Sequence, residues 1–141
     1  MTSEEAIAAF SQFPVPAASA FLGIEMREID GARGFARIAY LGKEDFCTEH
    51  GFIQVGFLSA MLDDAMAIAA TAHGNFAYVV PTLGMKVSCL REVRPGPLVA
   101  EGSLRHTGDR LVSLEGALFD GAGELVATAS ATARLRKAPW L

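Results

Sequence analysis

The sequence has only two cysteines, Cys47 and Cys89, and they form no CxxC pair. Two such thiols make a poor disulfide framework in a chain of 141 residues, so both are expected to be free in a reducing, cytoplasmic setting. Histidine is also scarce. His50, His73 and His106 are far apart and lack metal-ligand spacing, so neither a metal nor a bound cofactor is implied. Positive charge is thin: 12 Lys and Arg face 16 Asp and Glu, a net charge of −4. Phosphate-backbone binding needs clustered cations, which disfavours a nucleic-acid partner. The nearest approach to a cluster is Arg134, Arg136 and Lys137, and it reads as a solvated tail. The first residues carry Glu4 and Glu5 rather than the positive start and apolar run of a secretory signal.

Apolar residues, in contrast, are plentiful. They make up 51% of the chain, enough for one domain over residues 1–141 to bury a core without staples. The stretch from Phe52 to Ala72 is nearly all apolar and could be mistaken for a membrane span. Asp63 and Asp64 sit at its centre, and each would cost about 2.5–3.5 kcal/mol there on insertion scales. A membrane role is therefore not expected.

Along the chain, Thr2-x-x-Glu5 reads as a capping box opening a helix over about residues 3–12, stopped by Pro14 and Pro16. Strand-like stretches follow near 22–30 and 33–41, with Asp30-Gly31 and Gly34 supplying the turn. Residues 42–52 are polar and read as a loop. Residues 53–73 lack Pro and are rich in Ala, Leu and Met, so they predict one long, mostly buried helix ending at Gly74. Four more strands are expected near 77–91, 98–106, 111–119 and 125–135. In the last, Ala127, Ala129, Ala131 and Ala133 share one face, which lets a helix lie close against the sheet. The expected architecture is α+β: one buried helix against about six antiparallel strands.

Two features of the long helix carry chemistry. The first is the carboxylate pair, Asp63 and Asp64, whose side chains point about 100° apart. Buried charge is costly unless it is paired or hydrogen-bonded, and Asp is a poor mid-helix residue. A solvent stripe or an oligomer interface would explain the pair as well as catalysis would. The second is the glycine-flanked helix start, Gly51-Phe52-Ile53-Gln54-Val55-Gly56. Free amides at a helix N-terminus bind anions and developing oxyanions.

Distance links the two. Val55 and Asp63 are eight residues apart, which is about 12 Å along a helix. Attack on a carbonyl and stabilisation of its oxygen both require approach to about 3 Å. One helix cannot easily do both, but two antiparallel copies can. A catalytic reading therefore predicts a homodimer or higher oligomer with shared sites.

The stretch Gln54-Val55-Gly56-x-Leu58-x-x-Met61-Leu62-Asp63-Asp64-Ala65 resembles the HGG-x-L-x-x-L-x-D-x-A helix of the hotdog-fold thioesterases, in particular the PaaI-like branch of the phenylacetate pathway. Leu22-Gly23, Pro81-Thr82, Arg94-Pro95-Gly96, Gly108-Asp109-Arg110 and Gly123-x-Leu125-Val126-Ala127 also fall where that family has them. The resemblance implies hydrolysis of an acyl-CoA thioester, with Asp63 as general base or nucleophile. It implies that the amides of Val55 and Gly56 polarise the carbonyl. The family His is replaced by Gln54, which can orient groups but cannot act as an acid or base. The first motif glycine is replaced by Val55, and an upstream Asn by Thr48. Thr82 holds the place of a Ser or Thr that, in part of the family, reaches over from the partner subunit to position water.

Around this centre, His50 and Cys47 lie in the adjoining loop, and Leu58, Met61 and Leu62 are candidates for the acyl pocket. Lys86, Arg91, Arg94, Arg105 and Arg110 are candidates for the CoA phosphates. Two alternatives stay open. One is a hydratase or dehydratase of acyl thioesters, although no D-x-x-x-x-H arrangement falls within residues 48–63. The other is an acyl-CoA-binding or sensing protein without turnover, since a fold alone does not determine a function.

Overall fold

The computed structural model describes residues 1–139. The chain begins with α1 (Ser3–Phe10), where the Thr2 hydroxyl accepts the Glu5 N–H at 3.2 Å, the cap expected from the sequence. A second helix, α2 (Ala17–Phe21), follows the prolines. β1 (Glu25–Asp30) and β2 (Phe35–Gly42) lead through a short turn of 3-10 helix to the long helix α3 (Val55–His73). The rest is strand: β3 (Tyr78–Val79), β4 (Thr82–Cys89), β5 (Gly96–Thr107), β6 (Leu111–Phe119), β7 (Leu125–Arg134) and β8 (Arg136–Lys137).

Six strands form one antiparallel sheet in the order β1-β2-β5-β6-β7-β4, while β3 and β8 pair separately. The helix α3 lies across the sheet, chiefly on β5, β2 and β6. This is the hotdog fold, an α+β helix-in-sheet arrangement. Period-two alternation aims Ile38 and Tyr40, Leu98 and Ala100, Leu114 and Leu118, and the alanines of β7 at the helix. From the helix, Leu58, Met61, Leu62, Ala65 and Met66 face them, and all are buried. Gly102 of β5 shows how close the two layers come. A Cβ built there would lie 2.5 Å from the Ala65 carbonyl oxygen, so only glycine leaves room for the helix backbone.

Most expected elements are present within a few residues of their predicted bounds. Two differ. The expected strand over 22–30 starts at Glu25, because Ala17–Phe21 wind into α2. The expected strand over 77–91 is broken before Thr82 into β3 and β4, which join different sheets. Pro81 lies at the break and has no N–H to carry a ladder across it. Although α3 has the length and apolarity of a membrane span, here its apolar side chains pack against the sheet.

Candidate active site

The loop before α3 is held by its own backbone. Thr48 N–H donates to the Phe52 carbonyl at 2.8 Å, and Gly51 turns the chain at φ +83°. Ile53 N–H reaches the Val93 carbonyl at 2.7 Å, and Gln54 N–H reaches that of Phe46 at 2.9 Å. These bonds set where α3 begins. Gln54 is its N-cap, with an exposed side chain that makes no capping bond. Val55 and Gly56 are the first two helical residues, so their N–H groups have no intrahelical acceptor. Val55 is 50% exposed. The positive end of the helix dipole and two open amides therefore face outward together.

Two turns further on, the aspartates separate. Asp63 is half-buried, and its Oδ1 accepts a hydrogen bond from the Thr82 hydroxyl at 2.6 Å. Thr82 opens β4, one of the two edge strands of the sheet. The family resemblance placed this hydroxyl in the partner subunit's site. Here it reaches Asp63 of its own chain, because β4 runs beside β7 with Thr82 opposite Ala133, one of the alanines facing the helix.

Asp64 turns the other way. Its Oδ1 accepts from the Ser19 hydroxyl of α2 at 3.0 Å, and its Oδ2 from the Tyr40 hydroxyl of β2 at 2.6 Å. Burial pushes the Asp64 carboxyl above the usual carboxylate range, against the Tyr40 and Ser19 bonds that favour its charged form; the nearby Asp63 charge adds to the rise. The Tyr40 hydroxyl is pushed up as well, first by burial and then by the Asp64 charge beside it. No described cation pairs with Asp64. Nothing in the sequence pattern pointed to Ser19 or Tyr40. Only the packing of α2 and β2 on α3 brings them to the second aspartate.

The other predicted residues fall into distinct places. Thr48 Oγ1 accepts the His50 N–H at 3.3 Å, and the His50 ring is exposed beside Glu49. Leu58, Met61 and Leu62 are core side chains, no more than 2% exposed in the single chain. Arg91 is tied to Glu124, and Arg105 bonds Glu115 at 2.8 Å. Arg94 lies over the Phe52 ring at 4.6 Å, next to the α3 start. Arg110 and Lys86 are exposed. Cys47 and Cys89 are free thiols. Sequence reasoning also passed over an aromatic group beside the helix start: Phe46 stacks on Phe57 at 4.2 Å and touches Phe21 at 5.3 Å. A groove of about 490 Å³ runs along the outer face of the sheet between Lys86, Arg105, Glu115 and Ser130. Neither Asp63 nor Thr82 lines it.

A carboxylate held by a hydroxyl and a pair of open helix-start amides are the parts an acyl-transfer site needs. Residues 50–127 match the family model of the thioesterase superfamily. Among solved structures, a phenylacetic acid degradation-related protein of Ralstonia eutropha JMP134 is 33% identical over 90% of this chain and 96% of its own, with a TM-score of 0.84. The protein therefore belongs to the thioesterase superfamily. The PaaI protein of the Escherichia coli phenylacetic acid degradation operon shares the fold at 20% identity, covering 96% of each chain with a TM-score of 0.84. A Streptococcus mutans protein bound to acetyl-CoA shares it at 16% identity, over 81% of this chain and 89% of its own, with a TM-score of 0.73. A search of the curated proteins found no match.

Proposed function

We propose that the protein is an acyl-CoA thioesterase working as a homodimer or a dimer of dimers in the cytoplasm, without metal or prosthetic group. The observation that carries this reading is Asp63, a half-buried carboxylate on the central helix bonded only by a Thr82 hydroxyl among the described residues. Its second oxygen is left for water or substrate. The superfamily match supports hydrolysis, and the acetyl-CoA held by a protein of the same fold supports a CoA thioester.

The oxyanion donors come from the second copy. Val55 and Asp63 of one helix are about 12 Å apart, so the amides of Val55 and Gly56 serve the Asp63 of the partner subunit. Water adds to the thioester carbonyl carbon while Asp63 takes its proton. The carbonyl electron pair moves onto oxygen, where the two amides hold it. Collapse of the oxyanion breaks the carbon–sulfur bond, and the departing CoA thiolate recovers a proton, leaving the free acid. Direct attack by Asp63, followed by hydrolysis of the anhydride, has the same net balance. Gln54 orients the groups at the amide end, and Thr82 sets the direction of the carboxylate.

The test follows release of CoA thiol from short, medium, long and aromatic acyl-CoAs by the wild type and by Asp63→Asn. The reading expects turnover by the wild type and a loss of about 10²-fold or more in the variant. Acyl-CoA binding with no thiol release by either protein would replace hydrolysis with a binding role. Full activity in a monomer would remove the shared site.

A further inference from the structure

The turn that leads into α3 is fastened by backbone at its far end and by a side chain at its tip. At the far end, Ile53 N–H and Gln54 N–H reach the carbonyls of Val93 and Phe46. The tip, residues 48–52, has two backbone bonds within itself: Thr48 N–H to the Phe52 carbonyl and Gly51 N–H to the Thr48 carbonyl. Those bonds shape the tip without tying it to the rest of the chain. Phe52 is half-buried and lies outside the core cluster to which Phe46 and Ile53 belong. Arg94 supplies the outside contact. Its guanidinium carbon lies 4.6 Å from the centre of the Phe52 ring. The same group fills the space beside Gly51, where a built Cβ would have Arg94 Nη1 as its one neighbour, at 3.7 Å.

Neither residue has another task on view. Arg91 is engaged by Glu124 and Arg105 by Glu115, whereas Arg94 has no carboxylate partner among the described residues. Phe52 leaves part of its ring unburied and adds nothing to the core. A cation over a ring face is attracted by the ring quadrupole, and a guanidinium also stacks there through its planar group. The base from which Arg94 reaches is fixed. Val93 before it is 4% exposed and holds Ile53 through its carbonyl, and Pro95 after it restricts the Arg94 backbone.

The turn runs straight into the two amides that the proposed reaction uses. Amides that stabilise an oxyanion must lie about 3 Å from it, and a misplacement of about 1 Å can cost about 10²-fold in rate. Whatever holds the turn therefore sets the aim of the amides. Resting on the thioesterase reading, we propose that Arg94 is a positioning residue: its guanidinium clamps the Gly51–Phe52 turn and so aims the N–H groups of Val55 and Gly56. It acts through Phe52 and does not touch the reacting atoms. The sequence offered Arg94 as a cation for the CoA phosphates. The seat over Phe52 gives it a different task, and the two tasks predict different kinetics.

The experiment compares the wild type with Arg94→Met, Phe52→Leu, the double variant and Arg94→Lys. Thiol release is measured on the acyl-CoA panel, and calorimetry measures binding of desulfo-CoA. NMR follows hydrogen exchange of the Ile53 and Gln54 amides, with the Leu104 N–H, bonded to the Gly34 carbonyl, as the control for an intact fold. The clamp predicts that Arg94→Met and Phe52→Leu each lower kcat about fivefold, the worth of one cation–π contact. KM and desulfo-CoA affinity stay unchanged, as expected when an interaction made only in the transition state is lost. The double variant loses no more than either single one, because both remove the same contact. Arg94→Lys keeps a cation over the ring and retains at least about half of the wild-type kcat. Exchange at Ile53 and Gln54 quickens about fivefold in both single variants, while that at Leu104 stays the same. Unchanged kcat in the single variants overturns the clamp, and so do additive losses in the double variant. A raised KM with weaker desulfo-CoA binding in Arg94→Met, absent from Phe52→Leu, also overturns it and returns Arg94 to the phosphates. If the wild type hydrolyses nothing, exchange decides alone. Faster exchange in both single variants then keeps the clamp while the hydrolysis reading fails, and unchanged exchange overturns the clamp.

Discussion

The two flanks of α3 carry the same side chain in neighbouring positions and treat it oppositely. On the β4 flank, Asp63 meets one hydroxyl at an edge strand of the sheet, and its other oxygen has no partner among the described residues. On the β2 flank, Asp64 is covered by α2, and both of its oxygens are occupied by Ser19 and Tyr40. A carboxylate whose acceptors are filled by protein is poorly placed to take a proton from water, whereas one with a free oxygen is ready to do so. A separation of about 100° around the helix axis is thus enough to leave one aspartate open and to make the other a tie between three elements.

The largest expected effect that would break this contrast is kinetic. Asp63→Asn should lower thiol release by about 10²-fold or more, while Asp64→Asn should stay within about tenfold of wild type; equal losses would mean that the flanks share the work. Next, Thr82→Val should cost about tenfold in kcat, the worth of one positioning hydrogen bond, and leave the urea midpoint nearly in place. Tyr40→Phe on the opposite flank should do the reverse, destabilising the fold by about 1–3 kcal/mol by stripping a donor from a buried carboxylate. A kcat loss larger in Tyr40→Phe than in Thr82→Val would reverse the roles.

The smallest effect is a trend with pH. The folded state raises the proton affinity of Asp64 above that of the unfolded chain. The stability this contributes is present below the ordinary carboxylate value and is lost as pH rises through the raised one. The urea midpoint of Asp64→Asn relative to wild type should therefore rise between acid and neutral pH. A flat or falling difference would show that the Tyr40 and Ser19 bonds outweigh the burial.

Much of this was legible in the residues. The unbroken apolar run with Gly74 after it marked α3, and the alternating alanines of β7 marked the face it lies on. The capping pattern at Thr2 and the hairpin glycines placed the ends of elements because those signals act over a few residues. The aspartate pair was visible as an anomaly, but its sorting was not. Choosing Asp63 relied on counting along a family motif, and the distinct partners of the two carboxylates come from Ser19, Tyr40 and Thr82, up to 45 residues away. The helix α2 was missed because five residues between prolines and a strand carry too little periodicity to read. Leu58, Met61 and Leu62, which an apolar helix offers equally to a core or a pocket, are core residues in the single chain.

The sequence by itself determined the buried helix, the strands that cover it and the two chemical groups at its start and centre. Periodicity, caps and glycines are local, and local signals suffice for local structure. Only the tertiary structure decided which aspartate stays open, which hydroxyl reaches it and which cations remain unpaired. Those outcomes depend on strand order and on the depth at which each side chain meets its neighbours, and hydrogen bonds and ion pairs across the fold are settled by distance in space rather than along the chain.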